Sequence, residues 1–320
     1  MTVFASIADP AELDAAVRGR LAESLAYLVA KAGPELGTDD ARLAPVVAAL
    51  RDRQVHPGVF ARYYDLVPAL RSGGFDRAAA LMDEILVLAG EPVAFAVAPF
   101  SPDELGDDAE RFARLMFAEM PGPSPVLPPG DAFPAAADHL GAARAVIAAV
   151  DPAIEREVAA LLSRVYVGVG NPDPAARGFG GVTSFMVWGA TLVNSDGHRS
   201  VPRMAEFLVH EITHALLFGI AAAEPLVLNP PHETYASPLR KDPRPMDGVF
   251  HAMVVCARLI EFFRSWLAGG EGEDAPAVRD RIADLTPRFL DGHRLVGDQA
   301  RLSERGRHIH ELAAQAAAGG

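Results

Sequence analysis

The segment VPRMAEFLVHEITHALLFG, residues 201–219, is apolar on nearly every side when it is arranged as a helix. Its polar side chains recur at intervals of three and four residues. They form one narrow stripe, which consists of Arg203, Glu206, His210 and His214. Ser200 as N-cap, Pro202 in the first turn and Gly219 at the end predict where this helix begins and stops. A helix of this kind must be buried, so the chain has to build a large core around it.

Two histidines and a glutamate in this helix indicate a metal site. His210 and His214 lie one turn apart on the same face, so both imidazoles can reach one ion, and with Glu211 they form an HExxH motif. The alternative is two histidines on a partly solvated polar face. Burial favours the metal, because buried imidazoles need partners. Six other histidines show no ligand-like spacing and are expected at the surface or in helix caps: His56, His139, His198, His293, His308 and His310.

The composition excludes several classes of site and partner. The chain has 320 residues, half of them apolar, which is enough for a large core. A formal net charge of -13 argues against a nucleic-acid partner, since nucleic-acid affinity rests on clustered Lys and Arg. A single cysteine, Cys256, excludes an internal disulfide and a cysteine-based zinc site. We find no signal-like N-terminus and no uninterrupted membrane span, so we expect a cytoplasmic protein without a membrane partner.

The patterning predicts a mainly α (α+β) protein. Residues 1–100 form a helical N-terminal region, with Asp76 as the N-cap of its last helix. A soft boundary falls within 91–135, and residues 101–320 form the metal-binding catalytic region, in one domain with the first region or in a separate one. In this second region a helix over about 137–163 precedes two strands, which are expected to form a small antiparallel sheet beside the HExxH helix. The oligomeric state is left open.

Two histidines do not hold a catalytic metal alone, so the third ligand decides the chemistry. The metzincin continuation fails, because Leu217 and Ile220 occupy its Gly and His positions. Glu233 has the spacing of a thermolysin-like ligand, but the prolines around it favour a solvated loop carboxylate. His251 is the better candidate, in the first turn of a predicted apolar helix with Asp247 near its start. The alternative for His251 is an imidazole packed in the core. Three histidines leave up to three positions open on an octahedral ion.

The segment YASPLRKDPRPMDGVFHA, just before and including His251, is rich in Arg and Pro. Arg240 and Arg244 lie there in a backbone stiffened by proline. A fixed guanidinium binds a carboxylate through two parallel hydrogen bonds, which suits a keto-acid cosubstrate. The alternative for either arginine is an ordinary salt bridge.

The HExxH helix followed by this SPLRxDPRPxxGxxHA-like segment resembles the HExxH-type peptide β-hydroxylases of ribosomal peptide natural-product biosynthesis. These are iron(II)- and 2-oxoglutarate-dependent dioxygenases, and the resemblance covers roughly residues 160–265. It implies iron held by His210, His214 and His251. It also implies that Arg244 or, failing that, Arg240 binds 2-oxoglutarate, and that Glu211 orients a ligand or is one. The implied substrate is a precursor peptide hydroxylated at Cβ of a side chain.

Two rival functions remain open at this point. A zinc metallopeptidase would use Glu211 as the general base on a zinc-bound water. A non-catalytic peptide-binding protein would hold only a structural metal. For the peptide itself, the segment TSFMVWGATLVN, residues 183–194, reads as an edge-like strand that a peptide could extend.

Overall fold

The computed structural model of the protein describes residues 3–118, 124–237, 242–270 and 272–319. It is mainly helical with small sheets, which confirms the predicted class. The helices in this part of the chain are α1 (Pro10–Ala32), α2 (Asp40–Asp52), α3 (Pro57–Arg71), α4 (Phe75–Gly90), α5 (Pro102–Leu105), α6 (Asp108–Met116), α7 (Phe133–Val150), α8 (Pro152–Leu161), α9 (Val201–Ala223), α10 (Met246–Ala268), α11 (Ala275–Gln299) and α12 (Glu304–Ala318). The strands are β1 (Ala96–Pro99), β2 (Val126–Leu127), β3 (Arg164–Gly170), β4 (Gly181–Thr183), β5 (Ala190–Asn194), β6 (Thr234–Tyr235) and β7 (Arg244–Pro245).

The chain groups by contacts into two compact units. We call the first the histidine unit (Met1–Asp9, Asp138–Val158 and Arg199–Gly320) and the second the sheet unit (Pro10–Ala137 and Ala159–His198). These units differ from the predicted regions 1–100 and 101–320, because each unit contains several separate segments of the chain. The division between the units falls within α7 and again within α8. The division into 1–100 and 101–320, in one domain or in two, stays a prediction.

The sheet unit contains α1–α6 and a mixed sheet of order β1-β3-β5-β4. β3 pairs in parallel with β1 and β5, while β4 pairs antiparallel with β5 and β2 pairs antiparallel with β3. The expectation of an antiparallel sheet is therefore wrong in this respect. The expected edge strand is wrong as well, since β5 is hydrogen-bonded on both sides. Aromatic and aliphatic side chains from α6, β3 and β5, with Phe112 and Tyr166 at the centre, form the core here.

Two local expectations also need correction. Asp76 is not an N-cap, because α4 begins one residue earlier, at Phe75, with Gly74 as its cap. The single helix expected over 137–163 is two helices, since the Asp151 carboxylate accepts a hydrogen bond from the Ala153 amide at 3.0 Å and α8 restarts there. The described part of 91–135, where the soft boundary was expected, contains β1, α5, α6 and β2. The boundary itself stays a prediction.

The histidine unit is built around α10, which packs against α9, α11 and α12. The HExxH helix, α9, begins where predicted, after Ser200, but runs four residues past Gly219 to Ala223. By length and composition it is apolar enough to cross a membrane. However, 72% of its apolar window is buried, as in the core helix of a globular protein.

A buried ion pair holds α10 in this unit. Arg258 donates to the Glu157 carboxylate at 2.7 Å, and the two side chains are 3% and 6% exposed. The same guanidinium donates to the Thr213 hydroxyl on α9 at 3.3 Å and stacks over the Phe4 ring. Burial raises the pKa of the Glu157 carboxyl, and the charge and hydrogen bond of Arg258 oppose that rise. Arg258 thus links α8, α9 and α10 through one side chain.

We predict that Arg258→Met destabilises the protein by about 3–5 kcal/mol, because it leaves the Glu157 carboxylate buried without a countercharge. Urea unfolding followed by circular dichroism measures this. The double variant Arg258→Met/Glu157→Leu should recover most of the loss. Arg294→Met, which breaks an exposed pair with Asp291, is the matched control and should cost at most about 1 kcal/mol. Equal effects of Arg258→Met and Arg294→Met would contradict the structural role of the buried pair.

Candidate metal centre

His210 and His214 lie on consecutive turns of α9 and face each other. Their Nε2 atoms are 3.2 Å apart, and both rings are half-buried. The side chains share one face because α-helical residues four apart are neighbours. Apolar residues fill most of the rest of the α9 surface and are buried. The helix therefore presents the two imidazoles at one place in an otherwise apolar interior.

His251 reaches the same place from the first turns of α10. It is 4% exposed, and its Nδ1 lies 3.4 Å from Nδ1 of His214. The two rings stack with centroids 5.6 Å apart, and Phe218 packs on both of them. We call His210, His214 and His251 the histidine cluster. The two apolar helices thus bring together the three residues that the resemblance implies as ligands.

The donor set and its burial fit a metal ion. Nitrogens that bind one ion at about 2.1 Å are about 3.0–3.4 Å from each other at octahedral or tetrahedral angles, which matches the two observed distances. Nε2 of His251 is buried and has no hydrogen-bond partner among the described residues. A buried polar atom without a hydrogen-bond partner costs free energy, which indicates that His251 has a role besides packing. Burial also lowers the pKa of His251, which keeps its ring in the neutral form that metals bind.

The orientation of the rings does not yet fit. His214 uses Nε2 towards His210 and Nδ1 towards His251, and one imidazole can offer only one nitrogen to a given ion. Accordingly, within the part of the chain that the structure describes, no group of three side chains already converges on one ion. The cluster therefore fits a metal by residue type, burial and spacing, and a ring of His214 or His251 has to turn for all three to bind together.

Glu211 is buried on α9, 3% exposed, and follows His210 directly. On the same helix, the Thr213 hydroxyl donates to the Val209 carbonyl at 2.6 Å and accepts from Arg258.

The sequence patterns did not single out Arg258, Glu157 or Phe218. An arginine inside the apolar pattern of α10 was the available signal for the first, whereas its partner Glu157 lies 101 residues away.

Arg244 lies in β7, directly before α10. β7 pairs with β6 in a two-stranded ribbon, in which Arg244 is opposite Tyr235. The Arg244 side chain packs against the first turn of α10, with its Cδ 3.7 Å from where a Cβ on Gly248 would stand. Among the described residues no carboxylate pairs with its guanidinium. The salt bridge that was the alternative for Arg244 is therefore not formed with any of them. Arg240 lies outside the described residues, so its role stays a prediction.

Glu233 behaves as the loop carboxylate that the prolines around it indicated. It is exposed and accepts a hydrogen bond from the Tyr235 hydroxyl at 2.8 Å. The expected capping role is confirmed for His56, whose Nδ1 accepts from the Gly58 amide at the start of α3. His198 is buried rather than at the surface, but it is the C-cap residue of the short 3-10 helix Ser195–Gly197, and its amide donates to the Ser195 carbonyl at 3.2 Å. His293 and His310 stack on each other with ring centroids 4.0 Å apart, and His308 is exposed.

No family model and no curated protein matches the chain. The resemblance therefore rests on the motif residues alone. The geometry of the histidine cluster is an independent observation, since it follows from the packing of α9 and α10.

We predict that the protein binds one divalent ion at the histidine cluster. His251→Ala should weaken binding roughly 100-fold or more, because it removes one of three ligands. Isothermal titration with Co(II) or anaerobic Fe(II) measures the affinity. His308→Ala removes an exposed imidazole on α12 and should bind as the unmodified protein does. If both variants keep the original affinity, the metal is elsewhere or absent.

Proposed function

We propose that the protein is an iron(II)/2-oxoglutarate-dependent dioxygenase that hydroxylates Cβ of a side chain in a ribosomally made precursor peptide. The observation that carries the proposal is the histidine cluster, in which two buried helices bring three imidazoles together. Ring nitrogens of His214 lie 3.2 Å from His210 and 3.4 Å from His251. The resemblance supplies the reaction and the peptide. The cluster supplies a donor set that suits the reaction.

Three neutral histidines fill only three coordination positions of a metal ion. They therefore suit an ion whose remaining coordination positions are open to other ligands. An octahedral ion held in this way has up to three, enough for a chelating keto acid and O2. The commoner iron set is two histidines and one carboxylate. When bound, iron with 2-oxoglutarate and O2 supplies the oxidising chemistry: the peptide C–H becomes C–OH while 2-oxoglutarate and O2 become succinate and CO2.

Arg244 is the group of this chain that suits the distal carboxylate of 2-oxoglutarate. Its guanidinium has no described carboxylate partner, and its aliphatic part lies on the helix turn that precedes His251. A guanidinium binds a carboxylate in bidentate fashion and cannot lose its charge, which suits an anchor for a dianion. Arg240 is the second candidate from the sequence.

Glu211 and Phe218 have supporting roles in this proposal. Phe218 covers the rings of His214 and His251 and keeps water from that side of the cluster. Glu211 is buried next to His210 and is suited to orient a ligand or to act as one. The peptide itself rests on the resemblance alone, because addition of a strand beside β5 is excluded by its two neighbours.

Anaerobic loading with Fe(II) and titration with 2-oxoglutarate test the proposal. We expect the weak visible charge-transfer band of a chelated keto acid. Arg244→Ala should weaken 2-oxoglutarate binding about 10- to 100-fold, because one charge-assisted bidentate contact is lost. Arg244→Lys should recover part of it. Arg294→Ala, at an exposed position of α11, is the matched control and should leave the titration unchanged.

The zinc metallopeptidase predicts a different outcome of the same experiment. The protein would then retain zinc, give no band with 2-oxoglutarate and cleave peptides. Glu211→Gln would abolish that cleavage, because the general base is lost. A protein that binds metal tightly, gives no band and cleaves nothing would instead fit the non-catalytic peptide-binding alternative. Either result would overturn the oxygenase.

A further inference from the structure

The two nitrogens of the His251 ring face different groups. Nδ1 lies 3.4 Å from Nδ1 of His214, on the side of the histidine cluster. Nε2 lies 3.8 Å from Oδ1 of Asp247 and makes no hydrogen bond to any described residue. His251 is only 4% exposed, so bulk water does not reach Nε2 as a hydrogen-bond partner. The ring is therefore asymmetric in its surroundings.

This asymmetry decides which nitrogen can bind a metal. The nitrogens of an imidazole point away from each other, so only one of them can reach a given ion. A ligating imidazole is neutral and carries its proton on the other nitrogen. If Nδ1 binds, Nε2 becomes an N–H donor in a buried place and needs an acceptor.

Asp247 is placed to be that acceptor. It lies four residues before His251 on α10, so its carboxylate and the ring share one face of the helix. It is in the first turn, where the positive end of the helix favours a carboxylate. Its side chain is 60% exposed and has room to move. The 3.8 Å gap exceeds a charge-assisted hydrogen bond, at about 2.7–2.9 Å, by roughly one ångström, which a small side-chain rotation closes.

We propose that Asp247 is the positioning residue of the third ligand. Its carboxylate accepts the Nε2–H of His251 and so holds the tautomer and ring orientation in which Nδ1 binds the metal. Carboxylates that orient ligating histidines are a general feature of metal sites. The inference rests on the proposed metal site, but it does not depend on which metal binds or which reaction follows.

Affinity for Co(II), measured by competition with a chromophoric chelator, provides the first test. Asp247→Ala should weaken binding about 10- to 100-fold, and Asp247→Asn should weaken it less, since an amide oxygen accepts a weaker hydrogen bond. Asp291→Ala removes an exposed aspartate of α11 and is the matched control. Circular dichroism checks that each variant folds. Unchanged affinity in Asp247→Ala overturns the inference.

Comparison with His251→Ala separates this inference from the metal site itself. If His251→Ala also binds Co(II) as the unmodified protein does, the proposed metal site fails. If His251→Ala weakens binding and Asp247→Ala does not, only the role of Asp247 fails.

Proton NMR of the Co(II) protein in H2O gives a signature that a merely structural role would not change. Ring N–H protons of ligating histidines appear far outside the usual range, and the signal that is lost in His251→Ala belongs to that ring. In Asp247→Ala we expect this signal to exchange faster with water and to shift. An unchanged His251 signal would overturn the inference. So would absence of any His251 N–H signal in the unmodified protein, because a buried N–H that donates to the Asp247 carboxylate should exchange slowly enough with water to be observed.

Discussion

The buried ion pair with Glu157 holds Arg258, the side chain that connects the two helices of the histidine cluster. Arg258 lies two turns after His251 on α10 and also donates to Thr213, the residue before His214 on α9. The Thr213–Arg258 contact and the His214–His251 contact together fix the position and the rotation of α9 against α10. A buried charge without its partner is strongly destabilising, so the helices must pack in a way that keeps Arg258 and Glu157 together. Arg258, which contacts none of the imidazoles in the hydrogen bonds described, thus contributes to their arrangement through Thr213.

The surroundings of the cluster suit chemistry that must exclude water. Its walls are apolar side chains of α9 and α10, with Phe218 against two of the rings. Asp247 in the first turn of α10 and Arg244 in the ribbon before it bring one negative and one positive charge to the same end of the helix. These two charges suit different tasks, since a carboxylate orients an imidazole N–H and a guanidinium binds an anion. The first turn of α10, with the short ribbon before it, therefore places both of these charges near the start of the helix that carries His251.

Periodic patterns predicted where several of the helices lie, whereas the pairing of distant strands was not predictable. The starts of α9 and of the helix that carries His251 follow from caps, prolines and apolar spacing, which are local properties. The parallel pairing of β1 with β3 joins residues nearly 70 apart, and no local pattern shows it. For that reason β5 was taken for an edge strand although it lies inside the sheet. The spacing of His210 and His214 is helical and could be read directly, whereas the approach of His251 depends on how α9 and α10 pack.

The measurement that tests the central claim most directly is X-ray absorption at the iron edge of the anaerobically Fe(II)-loaded protein, without 2-oxoglutarate. Scattering from ring atoms beyond the first shell counts the imidazoles on the metal. Three are expected in the unmodified protein, with nitrogen at about 2.1 Å, and one fewer in His251→Ala. At most one imidazole, or the same number in both proteins, would show that the histidine cluster does not bind the metal in the way proposed here.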